Sequence, residues 1–123
     1  MRYELGEQLI REFPELFGES FFFECGDGWF DLLRILCSDL MPLLPAANAD
    51  HEAAWGADFG KIRVDQIKEK FGRLRFYMSW TPEDIARVIS HYEGLSEKTC
   101  EVCGQSGTLD MKRQLVTCDG HGG

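Results

Sequence analysis

An α+β domain is predicted for this 123-residue chain, with about three α-helices packed around an antiparallel β-hairpin and a C-terminal zinc-knuckle or zinc-ribbon-like element. Three patterns predict it. Apolar residues recur at helical spacing in three separate stretches, they alternate with basic residues over a short stretch after residue 60, and paired cysteines with a histidine follow residue 98.

The first helix is read over residues 3–17, where Leu5, Leu9, Ile10, Phe13, Leu16 and Phe17 share one face and Glu4, Glu7, Arg11, Glu12 and Glu15 the other. Pro14 predicts a kink or break there, because it lacks a backbone donor and clashes with the preceding turn. Phe21, Phe22 and Phe23 follow, too apolar together for a free loop, and are expected to be at least partly buried.

The motif Cys25-Gly26-Asp27-Gly28-Trp29-Phe30 precedes an apolar run through Leu32, Leu33, Ile35, Leu36, Cys37, Leu40 and Met41. Asp27 suits the N-cap of a central helix that Pro42 and Pro45 would stop. Residues 46–60 read as a long loop with at most a helical turn and Trp55 as its anchor.

Ile62, Val64 and, after a slip in register, Ile67 suggest a strand. Leu74, Phe76 and Met78 alternate with Arg73, Arg75 and Tyr77 in a second strand, with Phe71-Gly72 at the turn. Thr81 would cap the third helix, with Pro82 at its first position, Asp84 at the capping-box position and Gly94 at its end. Its buried stripe would be Ile85, Val88, Ile89, Tyr92 and Leu95.

One domain, 1–123, accommodates all of this, with 98–123 as a zinc-binding subregion. No basic leader or apolar stretch of membrane-spanning length is present, which leads to the expectation of a cytoplasmic protein without membrane contact. The net charge of −8 is uneven. Residues 1–60 hold three basic and twelve acidic side chains, net −9, whereas 61–77 hold six basic and two acidic, net +4. An acidic whole disfavours nonspecific nucleic-acid binding, but the basic ribbon keeps it open.

The strongest chemical signal is Cys100-x2-Cys103-Gly104 followed by Cys118-x2-His121. Two such pairs fit two knuckles closing a tetrahedral Zn²⁺ site, and four protein ligands leave no position for a reacting water, so the zinc is expected to be structural. A redox pair of Cys100 and Cys103 would be expected at the strand-to-helix junction of a βαβ unit, a context missing here. Cys37 reads as a buried small hydrophobe. Cys25 reads the same way, its alternative being a nucleophile activated by a helix N-terminus with His51 or His91 as base. Both histidines are expected at the surface.

The blocks Cys25-Gly-Asp-Gly-Trp-Phe30, Lys68-Glu-Lys-Phe-Gly-Arg-Leu-Arg-Phe-Tyr77 and Cys100-x2-Cys103-Gly to Cys118-x2-His121 together resemble a family of small uncharacterised proteins encoded by bacteriophages, prophages and bacteria. The resemblance implies a mobile-element setting, in which small acidic proteins often bind a host protein and some inhibit host defence. It also implies the zinc ligands Cys100, Cys103, Cys118 and His121, but no activity.

Two functions follow as expectations. The first is a protein-binding module, an inhibitor or adaptor for a host protein, using the acidic surface. The alternative is nucleic-acid binding through the hairpin and knuckle, with Lys68, Lys70, Arg73, Arg75 and Tyr77 as contacts. An enzyme is not expected, since no phosphate loop, nucleophile elbow or catalytic metal motif occurs.

Overall fold

Proline decides where the first helix ends. In the computed structural model, which describes residues 1–122, α1 spans Tyr3–Glu12 and Phe13 closes it, its N–H bonded to the Leu9 carbonyl at 2.9 Å. Pro14 opens a turn, and Leu16 and Phe17 still reach the core from it. A short strand, β1 (Phe23–Glu24), leads to a 3-10 turn at Asp27–Trp29 and then to the central helix α2 (Phe30–Leu40). Trp29, Leu33, Leu36, Cys37 and Leu40 have no exposed surface, so α2 is the axis of the core.

The expected loop at 46–60 is largely a fourth helix. Pro42 lies in a 3-10 turn and Pro45 in the first turn of α3 (Leu44–Trp55), so the prolines start a helix as well as stopping one. The first turn needs no backbone donor at such positions, and the fixed φ of proline suits it. Trp55 does not anchor the segment. It is 56% exposed, and Leu44, Ala47 and His51 face inward instead.

The hairpin forms as its alternation predicts, with β2 (Val64–Lys70) and β3 (Arg73–Met78) antiparallel and a register shift between Val64 and Gln66. Phe71 and Gly72 make the turn, both at positive φ. The sequence did not disclose that β1 pairs parallel to β2, with Phe23 opposite Ile67, giving a three-stranded sheet in the order β1-β2-β3. Ile67, Leu74, Phe76 and Met78 point into the core.

The remaining helix, α4 (Glu83–Ser96), packs on β3 and α2. Pro82 is its N-cap and no side chain caps it; Asp84 accepts the N–H of Ile85, so the expected Thr81 capping box is not formed. Gly94 lies inside the last turn, Leu95 is 38% exposed, and Ser96 takes the buried place. Its Oγ accepts the Leu74 N–H at 2.9 Å while Glu93 accepts that of Phe76 at 3.0 Å. These two contacts occupy donors on the outer edge of β3, where a free edge strand would invite pairing. Beyond α4 lies a small hairpin, β4 (Thr108–Asp110) with β5 (Leu115–Thr117). The α+β class therefore holds. Among the described residues, no helix is long and apolar enough to cross a membrane.

Candidate metal centre

The fourteen residues between Cys103 and Cys118 are mostly the β4–β5 hairpin, and this hairpin brings the two Cys/His pairs together. Before it, the chain folds into a knuckle. The Gly104 N–H donates to the Cys100 carbonyl at 2.8 Å, and Gly104 takes φ +84°, a conformation that side chains resist. After it, the His121 N–H donates to the Cys118 carbonyl at 3.1 Å and closes the second knuckle.

Cys100 Sγ, Cys103 Sγ, Cys118 Sγ and one ring nitrogen of His121 all lie within 4.8 Å of one another. The separations include 3.6 Å between Cys103 and Cys118, 3.8 Å between Cys100 Sγ and His121 Nδ1, and 3.1 Å between Cys118 Sγ and the same nitrogen. A tetrahedral zinc with ordinary bond lengths needs sulfur–sulfur edges of about 3.8 Å and sulfur–nitrogen edges of about 3.6 Å. The four groups are thus compatible with a metal such as zinc. Burial alone would push the Cys100 thiol up, but backbone N–H groups at Cys103, Cys118 and Val102 point at its sulfur and hold it down at about 6. Such donors stabilise thiolate, the form that binds a metal. Cys103 is raised: the Gln105 N–H pulls it down, but desolvation and the adjacent sulfurs of Cys118 and Cys100 outweigh that pull.

The motif 25–30 has a role that sequence reasoning missed: it is the seat of the first knuckle. The Gly28 N–H donates to the Glu101 carbonyl at 2.7 Å, the Gly26 N–H to Glu101 Oε2 at 2.8 Å, and the Trp29 indole to the Thr99 carbonyl at 3.0 Å. A Cβ on Gly28 would lie 2.1 Å from the Cys100 carbonyl oxygen, and one on Gly26 2.3 Å from that of Glu101. Glycine is required at both places because backbone meets backbone. The signal was present as two glycines around one aspartate, but it was read as a helix cap. Asp27 is no N-cap; its carboxylate accepts the Arg2 N–H at 2.6 Å and pairs with the Arg2 guanidinium at 2.9 Å. Glu101 gave no sequence signal. Its Oε1 is buried without a partner, and burial pushes the carboxyl up against the pull of the Gly26 N–H.

The other candidates separate clearly. Cys25 and Cys37 are buried. Burial pushes the Cys25 thiol up to about 12, against the terminal amine and with help from Glu101 and Asp27, which is the opposite of an activated nucleophile. His51 is buried on α3 with its ring 5.2 Å from that of Trp80, correcting the expected surface position, whereas His91 is exposed.

On the hairpin, Lys68 lies opposite Arg75 and Lys70 opposite Arg73, so all four bases share the outer face with Tyr77. Arg73 pairs with Glu97 at 3.1 Å. Among the described residues Lys68, Lys70 and Arg75 form no ion pair, and Arg75 Nε is buried without a partner.

Fold and site together define a small α+β protein with a Cys₃His cluster clamped to the start of its central helix. No protein-family model matches the chain, and neither does a curated protein or a solved structure.

Proposed function

We propose that this is a zinc-stapled protein-binding module, acting as an inhibitor or adaptor on a host protein in the mobile-element setting that its motifs imply. One observation carries the reading. Tyr3, Phe22, Trp55 and Phe59 are each more than half exposed, at 76%, 84%, 56% and 67%, and all lie within the acidic first 60 residues. Large apolar side chains left in water mark interaction surfaces when they cluster, and Trp55 and Phe59 stand 6.2 Å apart as a pair. Carboxylates among them would steer the protein toward a basic partner surface.

The five cysteines are taken up by structure. Four ligands would close a zinc site at the cluster, and burial pushes the two other thiols up. The zinc is structural in this reading, holding 98–122 to the core without offering a position to substrate. Elemental analysis is expected to give one zinc per chain, lost in Cys103→Ser; a metal-free and fully folded protein would refute it.

A second reading, nucleic-acid binding, is supported by the unpaired bases on the outer hairpin face. Opposed like charges weaken a hairpin, so a polyanion laid across Lys68, Lys70 and Arg75 would relieve them. A pull-down from bacterial lysate, divided into nuclease-treated and untreated halves, separates the two readings. The protein-binding reading expects one near-stoichiometric protein in both halves, undisturbed by the double change Arg73→Glu and Arg75→Glu. Recovery that needs nucleic acid and is lost in that variant would establish the second reading.

A further inference from the structure

We infer that the groove between α1 and residues 19–23 is the docking site, and that its occupant is a basic peptide segment carrying an apolar anchor. The inference rests on the protein-binding reading and adds the site and the chemistry of the partner. The groove encloses about 380 Å³. One wall is α1, where Tyr3, Gly6, Glu7 and Ile10 fall on a single stripe. The other is the phenylalanine segment.

Its floor exists because position 6 has no side chain. A Cβ on Gly6 would sit 3.0 Å from the Phe23 ring, so glycine lets that ring lie against the helix. Phe23 is locked behind by Phe17 and Phe21, with ring centroids 4.9–5.2 Å apart around the triad. The wall is therefore preformed. Of the three phenylalanines at 21–23, Phe22 alone turns outward, 84% exposed, and Tyr3 on the α1 wall is 76% exposed. A volume of this size admits a few apolar side chains of a peptide segment.

Charge selects the occupant. Glu7 and Glu19 line the groove and Glu4 is exposed beside them on α1, while both cations in the lining are held, Arg2 by Asp27 and the terminal amine of Met1 by the Cys25 carbonyl. An apolar anchor flanked by lysine or arginine meets this rim favourably, and an acidic peptide or a phosphate backbone is repelled.

The test titrates full-length, metal-loaded protein with three synthetic probes, a Leu/Lys amphipathic peptide, its Leu/Glu counterpart and oligolysine, followed by calorimetry and amide chemical shifts. Saturable binding of the Leu/Lys peptide alone is expected, with shifts centred on residues 3–10 and 20–23. Phe22→Ser, and separately Glu7→Lys with Glu19→Lys, should each weaken it at least tenfold. Phe22 is solvent-exposed, so its variant should melt as the parent does, which separates lost binding from lost folding.

Equal binding of the Leu/Glu peptide or of oligolysine, shifts centred on the 64–78 hairpin, or indifference to Phe22→Ser would overturn the inference. So would a dimer of the free protein that Phe22→Ser dissociates, since a second copy would then be the occupant. The lysate pull-down distinguishes the two levels of failure. A partner held equally by parent and Phe22→Ser removes the groove but keeps the protein-binding reading, whereas no protein partner for either removes both.

Discussion

Gly26 and Gly28 each give up a side chain so that a segment more than seventy residues later can lie against them. The tolerance is small at Gly28, where an added methyl would be 2.1 Å from a backbone oxygen that has nowhere soft to move. Gly28→Ala should therefore dislodge the knuckle at a cost of about 3 kcal/mol, combining overpacking with a lost hydrogen bond. Thermal melting and the rate of zinc release to a chelator should both register it. Gly18→Ala is the matched control, since nothing lies within 4 Å of a Cβ there, and it should alter neither. Asp27 also changes meaning at this scale. Its carboxylate ties down Arg2 at the surface, so Asp27→Ala should cost less than loss of a true helix cap.

At the scale of elements, α4 is fastened on two sides, to β3 through Ser96 and Glu93 and to α2 through the Tyr92 hydroxyl, which donates to the Asp39 carboxylate. That hydrogen bond first, then burial and then the Asp39 charge push Tyr92 up to about 12 from an ordinary value near 10. Between those values the folded protein holds a proton that the unfolded chain releases. The contribution is thus complete below pH 10 and is lost as pH rises toward 12. Tyr92→Phe should cost about 1 kcal/mol at neutral pH and remove this alkaline component; denaturant melts across that range measure it. Elements were legible where one periodicity governed them. The β2–β3 hairpin and its register slip could be read from alternating residues, and α1 broke at Pro14 as proline requires. Alanine-rich α3 could not, because Ala46, Ala49, Ala53 and Ala54 mark no apolar face, and Pro42 before it and Pro45 in its first turn looked like terminators. Short β1 was invisible for another reason: two residues carry no period, and its pairing with Ile67 and Lys68 is a tertiary fact. The four metal-cluster residues were legible from spacing alone, but the seat that receives them was not, since hydrogen bonds to a distant backbone leave no mark on sequence except glycine.

Taken whole, the molecule has one hydrophobic core around Trp29 and a C-terminal segment that adds Val116 and Cys100 as buried residues beside it. Few apolar side chains hold this segment, and metal is expected to supply the rest, on the order of 10 kcal/mol by the standard of zinc-finger peptides. Chelation should therefore melt 98–122 while α1 to α4 persist, and Trp29 fluorescence should shift as its indole loses the Thr99 carbonyl. Cysteine alkylation gives the same result by count. Metal-loaded protein should resist, chelated protein should modify at Cys100, Cys103 and Cys118, and Cys25 and Cys37 should react only on full denaturation. Early alkylation of Cys25 would contradict the buried, high-pKa environment described for it.

The clasp of Trp29, Gly26 and Gly28 on Thr99 and Glu101 spans 70 to 75 positions of chain. During synthesis, the central helix emerges from the ribosome with its N-terminal shoulder bare, and it stays bare at least until the knuckle has been translated. Contacts this remote in sequence form slowly. In the zinc-stapled reading, maturation of the protein would be timed by metal supply, and a chain short of the metal would leave the Trp29 indole N–H without its Thr99 partner.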